Sequence, residues 1–156
     1  MGCNQGKGGR RNLNANNIID EVKAAAAATS EVSHFPVNVV EAHTLRGNIP
    51  KFDVTPCICI GIKSFVYGEL LTSATASGAA VIPGTRQHTG CVSIGIFFKK
   101  TSQPKDMYNL FNILCSKLLS ADNQNRIVKI EHGGVEYDRT YDALVLRGSV
   151  TETTTE

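Results

Sequence analysis

Cys57, Cys59 and Cys91 occupy matching places in two stretches that nearly repeat, PCICIGIKSF at 56–65 and GCVSIGIFFKK at 90–100. Clustered thiols could bind a metal or do redox work. Metal sites favour C-x-x-C spacing, where a turn lets both sulfurs converge on one ion. C-x-C in an extended strand instead sets two sulfurs on the same face, one pleat apart. Cys91 could join them from a neighbouring strand. His34, His43, His88 or His132 could complete a ligand set, but no spacing fixes a histidine near them. The other reading is that small, weakly apolar residues tile a face that something approaches closely. The residue pattern favours that reading.

There is no G-x-S-x-G elbow, and no known nucleophile signature surrounds any cysteine. GKGGRR lacks Walker spacing and follows no strand. The opening MGC lacks the Ser or Thr at position six that myristoylation wants, since Gly6 stands there. In HGGVEYDRTYD, the carboxylates of Glu136, Asp138 and Asp142 beside Tyr137 and Tyr141 could bind a cation or do acid–base work. A charged turn between two strands explains them more simply, and tyrosines beside Arg139 suit a protein interface. No catalytic, cofactor-binding or metal-ligating residue is expected, and the chain reads as a non-enzyme.

The bulk numbers bound the class without naming a role. With 156 residues, 42% apolar and 19% charged, the chain has the size and composition of one globular domain. A net charge of +2 is too small to imply nucleic-acid binding. Lys7, Arg10 and Arg11 stand in a Gly- and Asn-rich arm with no acid, so any nucleic-acid contact would come through that arm. Five cysteines in mostly apolar settings favour free thiols. No membrane span or signal peptide is expected.

The elements that must position these residues follow from periodicity. A flexible basic arm is expected over 1–16, a single α+β domain over 17–150 and a polar, frayed tail over 151–156. Within the domain, a helix at 17–29 starts from an Asn16 or Asn17 cap, with Asp20 and Glu21 in its first turn and an Ala-rich second half at 23–28. A strand over His34–Leu45 is entered through Pro36. In the strand 55–68, Ile58, Ile60 and Ile62 alternate with Cys57, Cys59 and Gly61. A long small-residue loop spans Gly68–Gly90. The strand 91–100 sets Val92, Ile94, Ile96 and Phe98 against Cys91, Ser93, Gly95 and Phe97. A helix at 104–119 carries Met107, Leu110, Phe111, Leu114 and Leu118 at helical spacing. A strand from Arg126 ends at a Gly133–Gly134 turn, and a last strand presents Leu144, Leu146 and Val150. The expected fold is a single mixed or antiparallel sheet of four to five strands with two helices packed on it. The isoleucine face should meet the Phe111 helix. The thin cysteine face should take the Ala-rich helix or a neighbouring subunit.

This order of elements, with DVTPCICIGIKSF, GCVSIGIFFKKTSQPKDMYNLFNILCSKLL and GGVEYDRTYDALVLRGSVTE, resembles the tail terminator proteins of long-tailed bacteriophages over roughly 17–152. The glycine-rich arm and the long loop depart from that pattern and leave a related neck or tail-completion role open. The resemblance implies a virion protein of the tail and neck, assembled in the host cytoplasm. It would form a homo-oligomeric ring, commonly a hexamer, that stops growth of the tail tube and docks the head connector. The expected partners are tail tube protein and a head connector or neck protein, with no cofactor and no membrane. Expected contact segments are the arm Gly2–Asn14, the loop Thr72–Thr89 and the Glu131–Asp142 turn, with Arg10, Arg11, Arg86, His88, Tyr137, Asp138, Arg139 and Tyr141 as named candidates. The alternative is a small jelly-roll capsid subunit with a basic arm.

Overall fold

In the computed structural model, residues 13–32, 37–41, 56–70, 85–120 and 126–155 are described. They form helix α1 (Ala15–Val32), strands β1 (Asn38–Glu41), β2 (Cys57–Leu70) and β3 (Arg86–Lys99), helix α2 (Pro104–Ser120), and strands β4 (Ile127–Asp138) and β5 (Ala143–Thr155). The five strands make one sheet in the order β1-β2-β3-β5-β4. β1 runs parallel to β2, and the other neighbours are antiparallel. The fold is therefore α+β, with helices packed on a single mixed sheet. A jelly roll needs two packed sheets, so the capsid-like alternative does not match the described residues.

Alternation decides which face holds the core. Ile58 and Ile60 of β2, Val92, Ile94 and Ile96 of β3, and Leu146 and Val150 of β5 are buried in one cluster with both helices. From α2 come Met107, Leu110, Phe111, Leu114 and Leu118, the apolar stripe expected from the sequence. From α1 come Ile18, Val22, Ala25 and Ala26. Gly148 of β5 lies beneath Phe111, and a Cβ there would come 2.6 Å from the Glu131 carbonyl oxygen and 2.8 Å from the Phe111 ring. Only glycine lets α2 settle that close to the sheet.

The second cluster occupies the other face. Cys57, Cys59, Phe97, Ala143 and Val145 are buried there, with Val40 and Tyr141 packed against them. The Ala-rich segment of α1 lies on the isoleucine face, so it is not the layer that meets the cysteines. Alanines suit that position because α1 must approach both the sheet and α2.

Several boundaries differ from expectation. Helix α1 is longer than 17–29: Asn14 caps it, its Oδ1 accepting from the Asn17 N–H at 2.9 Å, and Leu13 before it is buried. Asp20 and Glu21 consequently lie beyond the first turn. Of the strand expected over 34–45, only Asn38–Glu41 is described. β2 continues to Leu70 and β3 begins at Arg86, which shortens the expected Gly68–Gly90 loop at both ends. Ile62 leaves the buried row, at 37% exposure, where the β2–β3 register shifts between Ile62 and Ser64. Gly133–Gly134 is not a turn. It is an irregularity within β4, which runs on to Asp138, and the turn follows at 139–142. Such a bulge inserts an extra residue without ending the strand. The polar tail is likewise structured: β5 reaches Thr155, held by Gln87 Nε2 donating to Thr153 Oγ1 at 2.8 Å.

Distant segments are tied by charge as well as by packing. Arg126, just before β4, donates to Glu21 of α1 and lies 4.0 Å from Glu152 of β5, which is fully buried. This links the helix to the far end of the sheet.

Candidate assembly surfaces

The named candidates divide between the two ends of the sheet. Lys99 pairs with Ala143, so the β4–β5 turn lies at the end where β3 finishes. Arg86 and His88 lie at the other end, where β3 begins beside Thr154 and Thr155. Along β3 the two groups are about 40 Å apart at ordinary strand rise. They cannot form one site. Arg10 and Arg11, and most of the loop 72–89, lie outside the described residues.

The turn brings Tyr137, Asp138, Arg139 and Tyr141 together, and it is largely engaged with itself. One oxygen of Asp138 accepts from the Thr140 and Tyr141 N–H groups at 2.8 and 3.3 Å. This is an Asx-type closure that lets Asp start a turn. Its other oxygen accepts from Arg147 Nη2 at 2.5 Å. Burial alone would raise the Asp138 carboxyl, but these donors outweigh it and hold the group below its ordinary value. The Tyr137 hydroxyl donates to Asp142, which also pairs with Lys100 at 3.1 Å. Those two partners lower the Asp142 carboxyl, and the same hydrogen bond raises the Tyr137 hydroxyl. Asp142 itself adopts a left-handed φ of 49°. Tyr141 packs edge-on against Phe97, with ring centroids 5.3 Å apart. The carboxylates thus organise the turn, while Arg139 and half of Tyr137 face solvent.

At the opposite end, a left-handed glycine shapes β2. Gly68 has a φ of 65° where the β2–β3 register shifts again. Its N–H donates to His88 Nδ1 at 2.9 Å, and its carbonyl accepts from Arg86 Nη1 at 2.6 Å. Both candidate residues of β3 therefore clamp the β2 bulge. Tyr67 stacks on Phe65 at 4.2 Å and stands 60% exposed beside His88.

The thiols read differently from a reactive site. Cys57 and Cys59 are 4% and 7% exposed, and burial pushes both up to about 11, with each the other's neighbour. Thiols held in that form are poor nucleophiles and poor metal ligands. Cys91 lies further along, accepting from Thr151 Oγ1 at 3.7 Å. Among the described residues, no group of three or more His, Cys, Asp or Glu could hold a metal ion.

Sequence reasoning missed a polar depression in the middle of the sheet face opposite α1 and α2. Lys63, Ser93, Glu131 and Arg147 line it, with Ser149 donating to Glu131 at 3.4 Å. The signal was Lys63 itself, a charge that interrupts the apolar run of β2.

No protein-family model matches this chain, and no curated protein matches it. Among the described residues, no helix is long and apolar enough to cross a membrane.

Proposed function

We propose that this protein is a structural assembly subunit, a tail-terminator-like protein that forms a homo-oligomeric ring, caps a phage tail tube and joins it to the head or neck. The observation that carries this reading is the one-sided helical cover. Among the described residues, both helices bury one sheet face, while the other exposes Lys63, Ser93, Glu131 and Arg147 between the aromatic turn and the Gly68 end of β2. A subunit that meets partners on several sides needs such a rigid frame with polar, open surfaces. Tail tube protein would be met at one end of the sheet and a neck protein at the other. The turn carboxylates, spent on holding the turn, and the inert buried thiols support a binding role over turnover.

Native mass spectrometry with negative-stain microscopy of the purified protein tests the reading. A ring of defined symmetry that binds tail tube ends is the expected result. A strictly monomeric protein that neither forms rings nor binds a tail tube would refute it.

A further inference from the structure

Among the described residues, the outer edge of β2 is occupied only in part. β1 pairs with Cys57–Ile60, and no described strand pairs with that edge over Gly61–Leu70. Open strand edges are templates for another chain, and proteins usually blunt them with charge, Pro, bulges or brevity; this one carries Lys63 and two register shifts, with Ser64–Val66 between them. Here the edge is rich in apolar side chains. Of the seven exposed large hydrophobic residues among the described residues, four lie on this segment: Ile62, Val66, Tyr67 and Leu70.

Outward from Val66, the segment IKSFVYGEL is chemically symmetric. If it pairs antiparallel with itself about a twofold axis at Val66, Ile62 falls opposite Leu70, and Lys63 opposite the acidic position Glu69. Ser64 then falls opposite Gly68, Phe65 opposite Tyr67, and Val66 opposite its own copy. Large apolar positions fall opposite large apolar positions, a basic position opposite an acidic one, and small opposite small. These are the cross-strand pairs that favour antiparallel pairing, and like charges avoid each other. An edge meant for an unrelated strand has no need of this symmetry. A twofold contact does, because each patch must complement itself.

We propose that Gly61–Leu70 is a homodimerisation edge, pairing antiparallel with the same segment of a second copy to continue the sheet across a twofold axis. This contact closes on two copies, so it stands apart from the ring contacts of the tail-capping reading.

Light-scattering mass across a concentration series is expected to show dimers or even multiples of the chain. Val66→Lys sets two like charges on the axis and should halve that mass while leaving circular dichroism unchanged, since Val66 is half exposed. Lys63→Glu creates two acid–acid pairs per dimer and should weaken it about tenfold. Adding Glu69→Lys in the same chain should restore it. Val66→Cys should oxidise to a linked dimer, because facing Cα atoms of antiparallel strands lie within disulfide reach; wild type and Leu119→Cys are the controls. A wild type that stays monomeric, a mass unmoved by Val66→Lys, or a charge swap that fails to restore pairing would each overturn the proposal. Rings that persist unchanged in Val66→Lys would remove this edge and leave the tail-capping reading standing. Dimers without rings would do the reverse.

Discussion

The two halves of β2 are one strand with two physical lives. Over Cys57–Ile60 it is paired on both edges and buried on both faces, with isoleucines toward the helices and cysteines toward Phe97 and Val145. Over Gly61–Leu70 only the inner edge is paired among the described residues, the register shifts twice, and large apolar side chains stand in solvent. The first half exists to hold the fold together. The second carries large apolar residues that stand exposed among the described residues. Apolar character in a strand therefore does not by itself report core: the same residue types serve packing in one half and contact in the other.

The sharpest test of that contrast is a pair of truncations. Ile60 is fully buried, so Ile60→Ala should cost about 3 kcal/mol, within the range for large-to-small core changes. Val66→Ala should change the stability of the monomer by no more than about 0.5 kcal/mol. Urea unfolding of both variants at a concentration below any self-association checks this. Equal losses at the two positions would erase the distinction between the halves.

A smaller effect tests what shapes the outer half. A Cβ on Gly68 would meet only the Arg86 side chain at 3.6 Å, so space is not the constraint. The left-handed φ of 65° is. Gly68→Ala should cost roughly 1 kcal/mol through that backbone conformation, or about 2–4 °C in melting temperature for a chain of this size. Gly68→Asn, better tolerated in the left-handed region, should recover part of it. If alanine is neutral, the bulge is free to relax, and the clamp by Arg86 and His88 does not define it.

Much of this fold was legible because its periodicities are strong. The α2 stripe from Met107 to Leu118 and the rows Ile58–Ile60 and Val92–Ile96 were readable as faces, and all are buried as expected. Where reading failed, the deciding partner lay far along the chain. Gly133–Gly134 resembles a turn locally, but pairing with β5 on both sides carries β4 through it. Residues 151–155 look like a frayed tail, but their threonines meet Gln87 and Thr89 of β3. The Arg126 link to Glu21 and Glu152 joins three segments that no local pattern connects. Of the candidate contacts, Tyr137, Asp138, Arg139 and Tyr141 were recognisable as one turn. The β2 edge that no other described strand covers was not, because an edge is defined by a strand's neighbours in space and not by its own residues.

The smallest predicted effect concerns the buried end of β2, where Tyr141 packs into the cysteine cluster and the Asp138 turn positions it. Asp138 and Asp142 both have folded values held below their ordinary ones. A depressed carboxylate stabilises the fold above its unfolded value of about 3.9, and that contribution disappears as pH falls through the folded value. Tyr137 is raised, so its contribution is present below about 10 and disappears as pH rises through its folded value. The turn should therefore be firmest between about pH 4 and pH 10. Asp138→Asn keeps an oxygen for the Thr140 N–H but loses the charge facing Arg147. It should cost less than about 1 kcal/mol at neutral pH, because Arg147 is largely exposed. Stability of this variant should fall less steeply than wild type between about pH 5 and pH 2. Urea midpoints across that range check the slope. A variant with the wild-type slope would assign the acid loss to other carboxylates, and the Asp138–Arg147 pair would not be what makes the turn sensitive to acid.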